Sequence, residues 1–394
     1  ESGRMNWYYQ TVPGDNWDYS SAMDMTLSEI EVDGKMTKVL LQAPKNGFFY
    51  VIDRTTGHVL RAHPYTDKID WATHVDLETQ RPVENPEVIY ETEPQWIFPA
   101  NAGAHNWEPQ SWDERQGLMY FYYHDYANFY SLDEGFVKTG TYEIRKRGLS
   151  LGWGEGQYRR DLIARADPRP DNAGYLGAFD PLTGNYKWRH KLDSVFNGGV
   201  LATTTGVLFQ GEGNGEFVAR STEDGAVLWS FDALTSISSP IISYQIDGTQ
   251  YVAAMVTGNR AVDLGGTLLV FSLNSDAQLG ASGVMATQVP EQPEVEVTRE
   301  GYIQGDTLYH QLCAHCHGGI GLPTESATPA PDLRLMTKAT HLEYNNIVLD
   351  GTRAEAGMAG FAGDLTEAEA EAIRGFVVTS ANQRRDWQQR RQAR

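Results

Sequence analysis

Both cysteines of this 394-residue chain lie within four positions, in Cys313-Ala314-His315-Cys316-His317. Cysteines that staple a fold are scattered through it, so a pair this close serves another chemistry. C-x-x-C-H is the attachment pattern of a c-type haem. Two thiols add across the vinyl groups of the porphyrin, and the adjacent histidine becomes the proximal iron ligand. A zinc knuckle needs four ligands, and a thioredoxin-type pair needs no following histidine. The spacing therefore predicts haem c bound covalently through Cys313 and Cys316, with His317 on the iron.

The opposite face of the iron calls for a second ligand, usually a methionine that raises the reduction potential. Met358 lies in GTRAEAGMAGFAG, a glycine-flanked loop whose backbone can approach the haem face. Met336, in PDLRLMTKAT, reads as a core residue, and His341 is a third choice behind Met358. The elements around them are short. GDTLYHQL leads into the motif as a helix, and LTEAEAEAIRGFVVTSA is an amphipathic C-terminal helix. Helix, haem motif, loop and helix over residues 299–394 make a small all-α cytochrome c domain of the class I layout. The basic end, NQRRDWQQRRQAR, reads as a solvated or frayed helix terminus.

Acidic residues outnumber basic ones, 52 against 32. That balance argues against nucleic acid as a partner and for neutral, small or basic ones. No apolar run approaches the ~20 residues of a transmembrane segment. The chain opens ESGRMNWYYQ, with neither an initiator Met nor a signal peptide. Haem attachment of this kind implies an oxidising, exported location, so a periplasmic site is expected and a targeting segment is expected upstream.

Residues 1–279 alternate short apolar strands with glycine-rich and acidic turns, as in VLLQAPKNGFFYVID and GVLFQGEGNGEFVAR. A repeat organises them. Ala178, Gly184 and Trp188 share their spacing with Ala219, Gly225 and Trp229. A weaker copy runs from Val51 to Gly57 and carries Arg61 where the tryptophan would stand, and Gly3 with Trp7 keeps only the final spacing. Strand–turn–strand units recurring at about forty residues predict a β-propeller, its tryptophans packing onto neighbouring blades. The first repeat starts part-way through, so early blades are expected to be missing. Residues 280–298, with ASGVMATQVPEQPEVEVT, have the composition of an interdomain linker.

The long domain closely resembles the quinohaemoprotein alcohol dehydrogenases, through YYQTVPGDNWDYS, APKNGFFYVIDRTTG, NAGAHNWEPQSWD and FNGGVLATTTGVLFQGEGNGEFVARSTEDGAVLW in that order. The resemblance implies a mainly β fold, a normally eight-bladed propeller present here in part, followed by the cytochrome domain. It implies pyrroloquinoline quinone (PQQ) and calcium beside haem c. Asp18, in W-D-Y, matches the catalytic base and is a possible calcium contact. Lys45, in PKNG, matches the cation on the quinone oxygens, while Asn106 in HNW and Asn197 in FNGG match cofactor-lining positions. Ser20 stands where lanthanide-using relatives carry an extra Asp, which points to calcium.

Some of the pattern is missing. The family's vicinal cysteine pair has no counterpart here, since both cysteines serve the haem. Its cofactor-floor tryptophan and its Glu and Asn calcium ligands have no match either. The resemblance implies periplasmic oxidation of a small alcohol to an aldehyde, with electrons passing through haem c to an external acceptor: a cytochrome, a copper protein or a membrane quinone. A sugar or polyvinyl alcohol dehydrogenase on the same scaffold is the alternative among enzymes. A non-catalytic haem c carrier with a propeller binding module is the alternative outside them.

Overall fold

In the computed structural model the described residues are 3–132, 144–145, 148–149, 153–155, 168–233, 236–256, 267–273, 275, 288–317, 320 and 330–392. Two compact units share the chain. Glu1–Asn128, Pro170–Gly258 and Gly265–Val284 form the first, and Phe129–Arg169, Asn259–Leu264 and Met285–Arg394 the second.

The first unit is built from antiparallel sheets. Thr26–Val32 (β1), Lys35–Gln42 (β2), Phe48–Asp53 (β3) and Val59–Pro64 (β4) pair in chain order. A hairpin of Ala72–Asp76 (β5) and Arg81–Glu84 (β6) and a short strand, Gln95–Ile97 (β7), follow. The second sheet has the order β15-β14-β9-β8, from Ser111–Asp113 (β8), Leu118–Asp125 (β9), Ala173–Asp180 (β14) and Asn185–Leu192 (β15). Along the chain between β9 and β14 run Asn128–Leu132 (β10), Ile144–Arg145 (β11), Gly148–Leu149 (β12) and Trp153–Glu155 (β13), which belong to the second unit from Phe129 on. Val200–Ala202 (β16), Val207–Gly211 (β17), Glu216–Ser221 (β18) and Val227–Asp232 (β19) make the third sheet. Ile241–Ile246 (β20), Thr249–Val256 (β21) and Thr267–Ser272 (β22) make the fourth.

Strand β9, LMYFYYHD, shows why these sheets stack face to face. Successive strand residues point to opposite faces. Met119, Phe121 and Tyr123 join a core with Leu41, Phe49 and Val51 of the first sheet. The intervening Leu118, Tyr120 and Tyr122 join a core with Val200 and Leu208 of the third. A strand buried on both faces reads as a continuous apolar run, as this one does.

Repeat positions dock Trp7 on the first sheet, the first sheet on the second and the second on the third, while Trp229 stays 42% exposed. The Trp7 indole donates to Arg54 O at 3.0 Å and lies over Gly57, where an added Cβ would sit 2.7 Å from the ring. Trp188 donates to Thr222 O at 2.9 Å and packs on Gly225. Between these two, the expected tryptophan position holds Arg61, which reaches Asp33 instead. His63, two residues on, takes the docking place: its ring bonds Leu182 O at 3.1 Å and covers Gly184. The architecture is a partial β-propeller, as the repeat predicted.

In the second unit, Arg299–Leu312 (α1), Ala314–His317 (α2), Lys338–Leu342 (α3), Tyr344–Val348 (α4) and Glu367–Gln392 (α5) are helical. Thr298 caps α1 by accepting from Gly301 N, the usual role of a hydroxyl at that position. Gly305 lets α1 meet α5 closely, since a Cβ there would lie 2.0 Å from Ala372 O. Tyr302 and Tyr309 pack on Phe376 across the contact, with ring centroids 5.3 and 5.4 Å apart. Helix α5 continues into the basic end, where a frayed terminus was expected. Gln388 is buried there, and its Oε1 accepts from Val289 N at 3.1 Å. Gln292 donates to Arg334 O, so this part of the linker-like stretch lies along the helical unit. No helix among the described residues is long and apolar enough to cross a membrane.

Candidate functional site

In an antiparallel sheet the approach to the first strand and the turn between the second and third strands lie at the same end. Asp18 precedes β1 and Lys45 lies between β2 and β3, while Asn106 precedes β8 and Asn197 precedes β16. All four assigned residues therefore sit at one end of consecutive sheets.

Trp17 and Tyr19, on either side of Asp18, are buried and stack at 5.7 Å with 19° between planes. Between them Asp18 adopts φ 68°, a left-handed conformation that Asp tolerates better than most residues. Its side chain stays 54% exposed. The Lys45 ammonium, almost fully buried, donates to Asp18 O at 2.9 Å and lies 3.4 Å from Asp18 Oδ2. The residues expected as base and cation are thus brought together directly.

Neighbouring residues fix that pair. Trp71 packs on both Trp17 and Tyr19 and donates from its indole to Asn46 O at 2.8 Å. Asn46 is fully buried and donates to Tyr50 Oη and Thr11 O, while its Oδ1 accepts from Phe48 N. Tyr65 donates to Pro44 O at 2.6 Å, and Ala104 N to Lys45 O at 2.9 Å. Gly103, at φ 82°, leaves space for the lysine, since a Cβ there would fall 2.4 Å from Lys45 Cγ. Asn46 and Trp71 carried no signal in the sequence beyond an N-G turn and one more tryptophan.

The two amides are placed differently. Asn106 is half-buried and donates to Ala102 O at 2.9 Å. Asn197 is buried and uses both ends of its amide, donating to Ser194 O after β15 and accepting from Gly213 N between β17 and β18. Their segments meet where Val200 N donates to Pro109 O and Gly199 packs on Pro109. Between the two lies Glu108, 8% exposed, whose Oε2 has no hydrogen-bond partner among the described residues. Burial pushes its carboxyl up to about 7. Burial also pulls His124 down to about 3 and lowers His105. A cleft of about 210 Å³ opens beside Trp17, walled by Asn16, Asn85, Val88, Ile89 and Tyr90.

The described residues fit a quinone cofactor in part, through a buried ammonium in a glycine-relieved cradle and an unpartnered carboxyl oxygen. Their His, Cys, Asp and Glu side chains do not by themselves assemble a calcium site. Calcium takes about six to eight oxygens, and among the described residues no three His, Cys, Asp or Glu side chains gather to hold a metal ion.

The residues expected to hold haem lie in the second unit. The short helix α2 closes with Cys316 N and His317 N both bonded to Cys313 O, so the thiols at i and i+3 share a face. They are not joined to each other. His317 Nδ1 lies 2.7 Å from Pro331 O, which fixes the proton there and leaves Nε2 as the free electron pair. That Nε2 is buried without a hydrogen-bond partner among the described residues. A haem iron fits this donor.

Of the sixth-ligand candidates, Met336 is buried in the helical core, and His341 Nε2 is engaged with Gln292 Oε1 at 3.1 Å. Met358 is half-buried, at the edge of the same core. Its loop is closed tightly, because Gly351 and Gly360 meet back to back and Phe361 N bonds Val348 O at 2.8 Å.

Three family models match the chain. They are described as "Glucose/ethanol/alcohol dehydrogenase, beta-propeller domain" over residues 1–63, "Outer membrane protein assembly factor BamB" over 172–272, and "Cytochrome C oxidase, cbb3-type, subunit III" over 302–377. The quinohemoprotein alcohol dehydrogenase ADH IIB of Pseudomonas putida is 35% identical over 96% of this chain and 55% of its own length. The 1-butanol dehydrogenase (cytochrome c) of Thauera butanivorans is 33% identical over 97% of this chain and 55% of its own. The crystal structure of quinohemoprotein alcohol dehydrogenase from Comamonas testosteroni superposes with a TM-score of 0.70 at 28% identity, covering 95% of this chain and 55% of that one. The chain spans about half the length of the curated relatives it matches.

Proposed function

We propose, for a chain that belongs to the quinohaemoprotein alcohol dehydrogenase family, that it is part of a periplasmic enzyme that oxidises small alcohols to aldehydes. The observation that carries this reading is the Lys45 ammonium at 2.9 Å from the Asp18 carbonyl, in the two segments that match the family's base and cation. PQQ, when bound, supplies the two-electron acceptor for the hydride that leaves the alcohol carbon. Asp18 takes the hydroxyl proton, a task for an ionised carboxylate within hydrogen-bond reach. Lys45 holds the backbone of that base and provides positive charge where negative charge develops. Asn106 lines the cofactor. Asn197 supports the wall beside it, since both ends of its amide are already engaged. The cleft beside Trp17 suits the carbon chain of a small alcohol.

Cys313, Cys316, His317 and Met358 would hold haem c, which when bound would supply a one-electron path to an external acceptor: a cytochrome, a copper protein or a membrane quinone. Calcium is part of the proposal through Asp18 only, and the remaining ligands are not among the described residues.

The test is steady-state oxidation of primary alcohols by the purified holoenzyme, with haem reduction followed optically. Turnover of short alcohols supports the reading. Turnover of sugars or polyvinyl alcohol alone would move the substrate class. Haem reduction by partner proteins with no turnover of any alcohol would make the chain a carrier.

A further inference from the structure

Oxidising an alcohol to an aldehyde releases two protons and two electrons: R–CH₂OH gives R–CHO, 2 H⁺ and 2 e⁻. Asp18, which is half exposed, can pass the hydroxyl proton to water. The second proton travels with the hydride into the interior of the site. It must leave when the electrons depart to the external acceptor, so the site needs a group that takes it up.

We propose that Glu108 accepts this second proton, and so couples electron departure to proton release. The inference rests on the dehydrogenase reading above. Glu108 sits on the segment between the cofactor-lining Asn106 and the Asn197–Gly199 wall, where Pro109 O accepts from Val200 N. It is 8% exposed, and its Oε2 has no hydrogen-bond partner among the described residues. A buried carboxyl oxygen left unpaired disfavours the charged form and is open to take a proton.

The titratable groups around Glu108 are His105 on its own segment and Tyr122 and His124 on β9. His105 Nε2 lies 2.9 Å from Glu108 O, and Tyr122 interacts electrostatically with the Glu108 carboxyl. Tyr122 in turn bonds His124 Nδ1 at 2.8 Å. Burial lowers both histidines, so neither supplies a cation at neutral pH. The forces opposing burial at Glu108 are backbone N–H groups of Glu108 and Asn106. A carboxyl so placed changes charge near neutrality, which suits a group that must both take up and release a proton there.

The experiment compares wild type with Glu108→Gln and Glu108→Asp. Infrared spectra of the chain across pH 5 to 9 should show a protonated-carboxyl band that fades near neutrality and is absent from Glu108→Gln. Single-turnover measurements on the holoenzyme test Glu108→Gln. The variant should slow electron arrival at the haem by about tenfold or more and remove that step's pH dependence near neutrality. Glu108→Asp should restore part of both. An unchanged band in Glu108→Gln, or an unchanged haem-reduction rate and pH profile, overturns the inference while the dehydrogenase reading stands. A wild-type holoenzyme that oxidises no alcohol overturns both.

Discussion

The Lys45 ammonium is closer to the Asp18 main-chain carbonyl, at 2.9 Å, than to the Asp18 carboxylate, at 3.4 Å. The shorter contact lies on the backbone of a residue held at φ 68°. Lys45 therefore acts first on conformation, by anchoring the left-handed turn that leaves the carboxylate exposed between two buried rings.

Lys45→Met should accordingly destabilise the fold as well as slow turnover. It strips a charge-assisted hydrogen bond from a buried donor site, a loss of about 1–3 kcal/mol. Urea unfolding of the variant chain measures that part. The holoenzyme should also lose turnover, because the base is no longer held. If Lys45→Met unfolds like wild type, the anchoring role is wrong and only a charge role survives.

Asp18→Asn keeps shape and removes the basic carboxylate. In the holoenzyme, kcat should fall by about two to four orders of magnitude, with PQQ and haem content near wild type. Asp15 is the control in the same turn. Burial raises its carboxyl, and its Oδ1 accepts from Trp17 N at 2.9 Å, a bond the amide oxygen of Asn can keep. Asp15→Asn should cost far less, and equal losses at the two positions would remove Asp18 from the chemistry.

The candidate haem donors were legible because they are adjacent in the chain. One five-residue motif names two thiols and a histidine, and local helix geometry alone assembles them. The site at the sheet ends draws on approaches and turns from three sheets, so only a resemblance could collect Asp18, Lys45, Asn106 and Asn197. What positions them stayed hidden, because Trp71 and Asn46 act through main-chain oxygens whose direction depends on the fold. The blade contacts show the same limit. Gly–Trp spacing exposed two dockings, but the place next to Arg61 is filled by His63, which no tryptophan pattern includes. Gln388 is similar, since a glutamine in a basic, polar helix end gives no sign that it is buried against Val289.

Met358→Ala should abolish any methionine–iron absorption signature and lower the reduction potential of the haem, read by optical redox titration. Met336→Ala should leave the signature in place and instead reduce stability by about 2–5 kcal/mol, as a buried methionine truncated in a core does. The haem should remain attached through Cys313 and Cys316 in both, seen as haem staining of the denatured chain on a gel. The reverse pattern would make Met336 the ligand.

Glu108 gives a pH prediction that needs no cofactor. Its carboxyl rises from 4.5 to about 7 in the folded chain because burial penalises the charged form. The folded state therefore binds this proton more tightly than the unfolded state does. The resulting stability is fully present below about pH 4.5 and is lost as pH rises through about 7. Glu108→Gln carries no titrating proton, so its own contribution is flat. Relative to wild type, the variant should gain stability between pH 5 and pH 8, by up to roughly 3 kcal/mol. His124 moves the other way, since a histidine lowered to about 3 costs stability only as pH falls below its ordinary 6.5. That contribution is common to both proteins and cancels in the difference. Urea midpoints at pH 5, 6.5 and 8 measure the gap, and a difference that stays constant across the three would show that the fold does not raise the Glu108 carboxyl.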